Sequence, residues 1–427
     1  MAKVEMASGA GDTTTHIRLR LWSESDLTKV LSELNAKRSL QSVELVFSSS
    51  FNQKLIEDAT KFMESVSRLP SLEQVVVTSD EEETQSYALQ VRLLSTILDL
   101  APGLEKLLLH RVELVGSIAD FEALEESILN HSALTNLSST SWLSEETRMT
   151  ISMDHFVKAI AVSRSLQSVS FQPAFAFGGI SNASAGMLCT LPALRQLDVA
   201  CNLTDENTVA MAQALQGNTT LIELRLSCPL EEPGCQALAS CITANAKLET
   251  LIIHSTTTVS DAQLTDSSSG VRNDPSSSSS TDSKEMDDEH TAQLALALKG
   301  NQNLKHFAIY GTKLSHSTQT AFVEMIKQNY TLESLSLLEL RDDLQEEMKI
   351  YIRLNKCGRA SLLGSSTVSK CQWVDTMSLV ADELDCLFYL LGTKPSLCEL
   401  NEDENVRKRG QRQTVAPIYF TKKSKIS

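Results

Sequence analysis

The chain of 427 residues carries 54 Asp and Glu against 38 Lys and Arg, a formal charge of −16, with 42% hydrophobic but only 5% aromatic residues. That apolar share supports a core and excludes a wholly disordered chain, and no apolar run approaches the ~20 residues of a membrane span. The acidic balance weighs against generic nucleic-acid binding, which depends on Lys and Arg contacts to phosphates.

At about 150 residues per domain the length alone suggests two or three domains. The 61 Leu residues argue instead for many similar aliphatic layers. Residues 1–16 have no apolar run of a secretory signal and read as a disordered leader, so an intracellular protein is expected. Nine Cys residues, an odd number without a Cys-x-x-Cys pair, read as free and mostly buried thiols rather than a disulfide framework or a zinc site. Without a secretory route the six Asn-x-Ser/Thr sequons, among them Asn218 and Asn329, are chance matches. Ser23–Leu34 reads as a single helix.

From Leu40 a Leu-x-x-Leu-x-Leu pattern, with Val, Ile or Phe substituting, recurs ten times, starting at 40, 72, 104, 134, 166, 194, 221, 248, 304 and 332. Its clearest copies are Leu104-Leu107-Leu109, Leu194-Leu197-Val199, Leu221-Leu224-Leu226, Leu248-Leu251-Ile253 and Leu332-Leu335-Leu337; Leu134-Leu137-Ser139 is the most degenerate. Between copies the apolar period turns helical, as in Val209–Leu215 before Gly217-Asn218, Ala237–Ile242 before Asn245, Leu294–Leu298 before Gly300-Asn301, and Phe322–Ile326 before Asn329. Asn and Gly are helix-stopping residues. Each unit is thus a short strand and one amphipathic helix, and only stacking buries its apolar face.

These motifs resemble the leucine-rich-repeat family over about residues 17–340, and within it the ribonuclease-inhibitor subtype with its ~28-residue helical units. The resemblance implies an α/β, right-handed horseshoe solenoid, with parallel strands on the concave face and helices on the convex face. That subtype carries Asn or Cys three residues past the third apolar position. Here the slot holds Ser48, Asp80, Val112, Trp142, Ala174, Asn202, Pro229, Thr256, Thr312 and Leu340. Only Asn202 obeys, so loss of the side-chain ladder and irregular turns are expected on that edge.

The interval from 248 to 304 is double length, and residues 256–290 hold Ser-rich and acidic runs that read as a disordered insertion. Ser280, Thr281 and Ser283 sit among acidic residues, where phosphorylation is the sharper reading of a tolerated loop. Residues 341–400 read as a helical C-terminal cap, with Trp373, Val374, Met377, Val380, Leu384, Leu387, Phe388 and Leu391 on one stripe. The string Tyr351–Arg359, with Trp373 and Leu387–Leu397, is similar to the C-terminal part of uncharacterised leucine-rich-repeat proteins from diatoms. That resemblance implies a shared cap and no activity. Residues 401–427 form a basic tail; from 406 onward it has seven cations and no acid, which leaves the first 405 residues at −23. Lys408, Arg409, Lys422, Lys423 and Lys425 fit a bipartite nuclear-import pattern, read against a solvated tail that meets an acidic surface.

No phosphate loop, dinucleotide fingerprint, nucleophile elbow or His-Glu-x-x-His is present, so no catalytic residue, metal or cofactor is expected. What remains is the strand face opposite the buried Leu positions. Its chemistry-bearing residues are Glu44, Lys106, His110, Asp198, Arg225, His254, His306 and Tyr310. Tyr310, Arg225 and Lys106 are the candidate anchors of a protein-binding concavity, since Tyr and Arg dominate interface hot spots. The expectation is a non-enzymatic scaffold for an unidentified protein partner, cytoplasmic or nuclear, binding neither membrane nor nucleic acid. Two alternatives are a Ran-type GTPase-activating regulator and a ubiquitin-ligase adaptor. The basic tail and irregular slot count against the first; the lack of a helical module before Leu40 counts against the second.

Overall fold

The computed structural model describes residues 4–7, 15–21, 40–47, 72–79, 87–140, 148–172, 180–200, 203–256, 289–363 and 370–393. The chain divides into two compact units, Met1–Lys356 and Cys357–Ser427.

The first unit contains strands β1 (Val4–Ala7), β2 (Thr15–Leu21), β3 (Leu40–Phe47), β4 (Gln74–Ser79), β5 (Tyr87–Gln90), β6 (Lys106–His110) and β7 (Val112–Val115). It continues with β8 (Asn136–Thr140), β9 (Ser168–Gln172), β10 (Gln196–Val199), β11 (Glu223–Cys228), β12 (Thr250–Ser255), β13 (His306–Tyr310) and β14 (Ser334–Leu337). One open sheet takes twelve of them in the order β1-β2-β3-β4-β6-β8-β9-β10-β11-β12-β13-β14, and β5 pairs with β7 separately. Every pair in the large sheet is parallel except β1 with β2, which is antiparallel. Parallel neighbours need a crossover, and the helices Asp205–Gln216, Glu232–Ala244, Glu289–Gly300 and His316–Gln328 supply it over the later repeats. They contain the four helical segments read from the sequence.

The register places motif on motif. Leu224 of β11 lies between Leu197 of β10 and Leu251 of β12, and Leu226 lies between Val199 and Ile253. A first motif residue such as Leu221 is fully buried, and the same holds for Leu40, Leu104, Leu194 and Leu332. Each buried Leu contributes on the order of 1.5–3 kcal/mol, so three per layer repeat a core that no single layer builds. Strands sit about 4.8 Å apart whereas helices need roughly 10 Å, so the sheet lines the inside of the bend. The fold is therefore a right-handed α/β leucine-rich-repeat-type solenoid.

A side-chain ladder does tie the turns together, at a different corner from the one expected. Three residues before the first motif Leu stand His131, Ser163, Asn218, Asn245, Asn301 and Asn329. Asn329 donates from Nδ2 to the carbonyls of Leu298 (2.6 Å) and Asn301 (3.0 Å), one layer back. Its Oδ1 accepts from the amides of Thr331 and Leu332, at 2.9 and 2.8 Å. Asn245 and Asn301 repeat this, and Asn218 reaches the Cys189 carbonyl. His131 does the same with a ring, one nitrogen facing the Ala101 carbonyl and the other accepting from Leu134. Helix ends leave carbonyls without partners and the following strand starts with bare amides; one amide side chain serves both. At the slot where Asn was expected, the described Val112, Pro229 and Thr312 are buried instead; Ser48, Asp80, Trp142, Ala174 and Asn202 lie outside the described residues. The turn there is shared by three repeats: Arg111, Gly311 and Glu339, each two past the third motif residue, have positive φ (54°, 85° and 51°).

The leader reading also needs correction. Val4–Ala7 and Thr15–Leu21 are strands, and β1 closes the parallel edge by pairing antiparallel to β2. Alternation in Thr15-His-Ile-Arg-Leu-Arg-Leu21 is a strand signal that lacks the Leu-x-x-Leu spacing. The ladder extends past Leu340 as well: Asn355, in the helix Asp342–Lys356, donates to the Asn329 and Leu332 carbonyls. Gly358, with φ 87°, then stands where the next motif Leu would fall. The helix read at Ser23–Leu34, most of the Ser-rich insertion (257–288) and the basic tail lie outside the described residues.

In the second unit Gly358 precedes helices Arg359–Leu363, Lys370–Leu379 and Leu384–Thr393. Arg359 is fully buried and its guanidinium stacks 5.3 Å from the Tyr389 ring centroid. Trp373, Val380, Cys386 and Leu390 are buried, whereas Val374, Leu384 and Phe388 are more than half exposed. The expected single stripe fails because the helix breaks between Leu379 and Leu384, which resets the 3.6-residue phase. Among the described residues Cys189, Cys228, Cys235 and Cys241 are free and buried, Cys357 is free and half-buried, and Cys386 is buried. No described helix is long and apolar enough to cross a membrane.

Candidate functional site

Alternation along each strand sends the motif residues inward and their neighbours to the opposite face. The eight candidate residues do lie on that face, but the structure spreads them into separate groups. Glu44 sits on β3, and His110 and Lys106 sit on β6, two strands away across β4. Asp198 and Arg225 are direct neighbours on β10 and β11. His254 and Tyr310 are direct neighbours on β12 and β13, with His306 at the other end of β13, beside Thr250 and Ser334.

The first group is not open. Val46 is 0%, Val76 8% and Thr78 9% exposed, although all three are on the face opposite the motif residues. This part of the sheet is buried on both faces. His110 is half-buried there, and burial holds its imidazole below the ordinary value, with the Glu44 carboxylate opposing. Lys106, at the strand start, stays exposed.

The central group surrounds a hollow of about 210 Å3 whose polar lining is Ser168, Ser170, Gln196, Asp198, Glu223 and Arg225. Arg225 donates from Nε to Glu223 Oε1 at 2.8 Å, with Nη2 2.7 Å from the same oxygen. Gln196 donates to the other Glu223 oxygen at 3.3 Å, and the Ser170 hydroxyl to Asp198 at 3.5 Å. The cation and one carboxylate neutralise each other on a single strand, and the other carboxylate faces the adjoining strand. The sequence reading missed Glu223 and Gln196. Both occupy the second place after the first motif Leu, the rule that found Lys106 and His306.

At the third group the His254 and Tyr310 rings are 5.2 Å apart and tilted by 31°. Tyr310 is 38% exposed, as is Leu338 just past β14. An exposed phenol braced by a stacked imidazole is a rigid amphipathic contact, and such side chains lose little entropy on binding. Lys305 at the start of this strand is held by Glu249 at 2.8 Å. In the register row through Arg225, Ser138 and Ser170 lie on one side, and Ile252 and Ala308 lie between Arg225 and Ser336 on the other.

Burial pushes the thiols of Cys228, Cys235 and Cys241 up to about 12, so they are poor nucleophiles. Among the described residues no group of three His, Cys, Asp or Glu side chains is placed to hold a metal ion.

No protein-family model matches the chain, and no curated protein matches it. Solved structures align with parts of it, among them the following two. One is leiomodin-1 actin-binding site 2, 11% identical, covering 57% of this chain and 93% of that one with a TM-score of 0.24. The other is TLR13 in complex with ssRNA13, 13% identical, covering 71% of this chain and 40% of that one with a TM-score of 0.33. This chain thus spans well under half the length of TLR13. The solenoid assignment rests on the strand register and the repeated ladder.

Proposed function

We propose that the protein is a non-enzymatic interaction scaffold that holds a protein partner on the sheet face between β9 and β14. The observation that carries this reading is the placement of Arg225 and Tyr310. Both are exposed and braced, one by Glu223 and one by His254, with Ile252 and Ala308 on the face between them. Arg and Tyr held rigid on a concave surface are residue types that supply much of an interface's energy. Repeat spacings of 27 and 28 residues with a full helix in each unit support the ribonuclease-inhibitor-like subtype. The buried Arg359 and Trp373, with the Arg359 guanidinium stacked on the half-buried Tyr389 ring, support the shared cap of the diatom proteins. Import through Lys408, Arg409, Lys422, Lys423 and Lys425 is a separate proposal, and a fluorescent fusion with those five changed to Gln tests it.

The test of the scaffold reading is affinity capture with the full chain. Proteins retained by the wild type are expected to be lost with Arg225→Ala plus Tyr310→Ala and kept with Leu296→Ala, an exposed position on a helix. Retention by the double variant would reject the sheet face as the binding site.

A further inference from the structure

The helix Leu384–Thr393 carries apolar residues on two opposite sides. At about 100° per residue, Cys386 and Leu390 fall together on one side. Both are buried, and the Tyr389 ring beside them lies over the Arg359 guanidinium. Leu384, Leu387, Phe388 and Leu391 fall on the other side, within an arc of about 100°. Leu384 is 65% and Phe388 68% exposed, while Leu387 and Leu391 are half-buried. Asp385 is the single charged residue of the helix. A helix that is apolar all round is one whose neighbours cover every side. Here one side is covered by the cap and the other meets water.

The sequence beyond this helix supplies a matching segment. In residues 394–427 the only aromatic side chains are Tyr419 and Phe420, within the run Val415-Ala-Pro-Ile-Tyr-Phe420. Lys422, Lys423 and Lys425 follow directly. The exposed side of the helix has acids at one end: Asp382, Glu383 and Asp385 flank Leu384, and none follows through Thr393. A segment laid antiparallel to the helix puts its apolar run on Phe388 and Leu391 and its cations toward Asp382 and Asp385. Antiparallel is also the direction of a chain that returns from Thr393. A coil the length of residues 394–417 spans roughly 25–30 Å, against about 15 Å for the helix, so the return is within reach.

We infer that residues 415–423 dock antiparallel on the exposed side of Leu384–Thr393, as a clasp that covers Phe388. This clasp lies within the C-terminal unit and is independent of the partner-binding reading. A second copy of the chain is the competing occupant. Tethering gives the segment an effective concentration on the order of 1 mM, which a second copy does not reach in micromolar protein.

Hydroxyl-radical footprinting of the full chain compares the wild type with Ile418→Ser plus Phe420→Ser. For an intrinsic affinity of about 0.1 mM, roughly nine segments in ten are docked, so Phe388 and Leu384 should react about fivefold more slowly in the wild type. Leu296, 71% exposed on the helix Glu289–Gly300, should react equally in both, and the buried Trp373 should stay protected if the cap keeps its fold. Lys422→Glu plus Lys423→Glu removes two exposed ion pairs and should cut the protection of Phe388 to about twofold. Equal Phe388 reactivity in the wild type and the apolar variant overturns the clasp. Full protection in the Lys variant overturns the antiparallel seating. Protection that disappears on dilution, where sedimentation shows monomer, also overturns the clasp and gives the exposed side to a second copy.

Discussion

Arg225 and Asp198 face each other across β11 and β10, yet Arg225 is bound to Glu223 on its own strand, at 2.7 Å. The pair forms along the strand rather than across to β10. Because Arg225 is half exposed, the pair contributes little to the fold, about 0.2–1 kcal/mol. Arg225→Ala and Glu223→Gln are therefore expected to shift the urea midpoint slightly, with a double-mutant coupling inside that range. A coupling well above it would make Arg225 a structural residue rather than a binding one.

Asn329 offers the opposite case, since three of its four amide contacts are buried and together they join two layers. Asn329→Ala takes the acceptor from the Thr331 and Leu332 amides, whereas the Leu298 and Asn301 carbonyls keep the Asn301 amide and the Thr331 hydroxyl as donors. At ~1–3 kcal/mol for each of the two amides left without a partner, and with partial relaxation, a loss of about 2–4 kcal/mol is expected. Urea unfolding measures it, and a loss below about 1 kcal/mol would show that the ladder is ornamental. The same geometry makes the Asn218 and Asn329 sequons poor glycan acceptors, because their Nδ2 atoms are already engaged.

Ser139 stands in the third motif position between Leu109 and Phe171, fully buried, and its hydroxyl has no hydrogen-bond partner. Ser139→Val removes that hydroxyl and adds apolar volume, so a gain of about 1–2 kcal/mol is expected. Ser139→Thr retains the hydroxyl and should not reproduce it. Differential scanning calorimetry distinguishes the two; equal transition temperatures would mean that the hydroxyl costs nothing.

Gly311 has φ 85°, and a Cβ there would collide with the Ser255 carbonyl oxygen of the neighbouring strand end. Gly311→Ala combines backbone strain with that clash, and a loss of roughly 2–4 kcal/mol is expected. Gly217, at a helix end with φ −94° and open space around its Cα, is the control. Gly217→Ala should gain about 0.4–1 kcal/mol by restricting the unfolded chain.

His110 gives the fold a pH dependence of defined sign. Its folded-state value lies below the unfolded value of about 6.5, so the unfolded chain takes up a proton that the fold resists. Its stability contribution is complete above that value and is lost as pH falls from it toward the folded value. Glu44 opposes the shift, and the register neighbours Thr78 and Thr140 carry no charge. The urea midpoint of the wild type should therefore fall relative to His110→Gln between pH 7 and pH 5. A gap between the two that stays constant over this interval would contradict the assignment.

The repeats were legible because a buried strand position repeats with an invariant chemical requirement: Leu221, Leu224 and Leu226 have no substitute but another aliphatic side chain. Helix ends were legible for a related reason, although Asn245, Asn301 and Asn329 were read as stop signals only. Their second role needs a neighbour one layer away, and the sequence does not display layers. β1, β5 and β7 went unread because short pairs outside the motif take their register from the partner strand. On the sheet face, residue types were legible and groupings were not. Glu44 and Arg225 obey the same spacing rule, yet one lies where the sheet is covered on both faces and the other lines an open hollow.

The central claim is that a partner is held on the sheet face rather than on the helices. Hydroxyl-radical footprinting of the full chain, free and with a captured partner, tests it most directly. The account predicts that Tyr310, His254 and Leu338 lose reactivity on binding while Leu296, Ile118 and Leu129 on the helices keep theirs. Protection confined to those three helix residues, with Tyr310 and His254 unchanged, would contradict it.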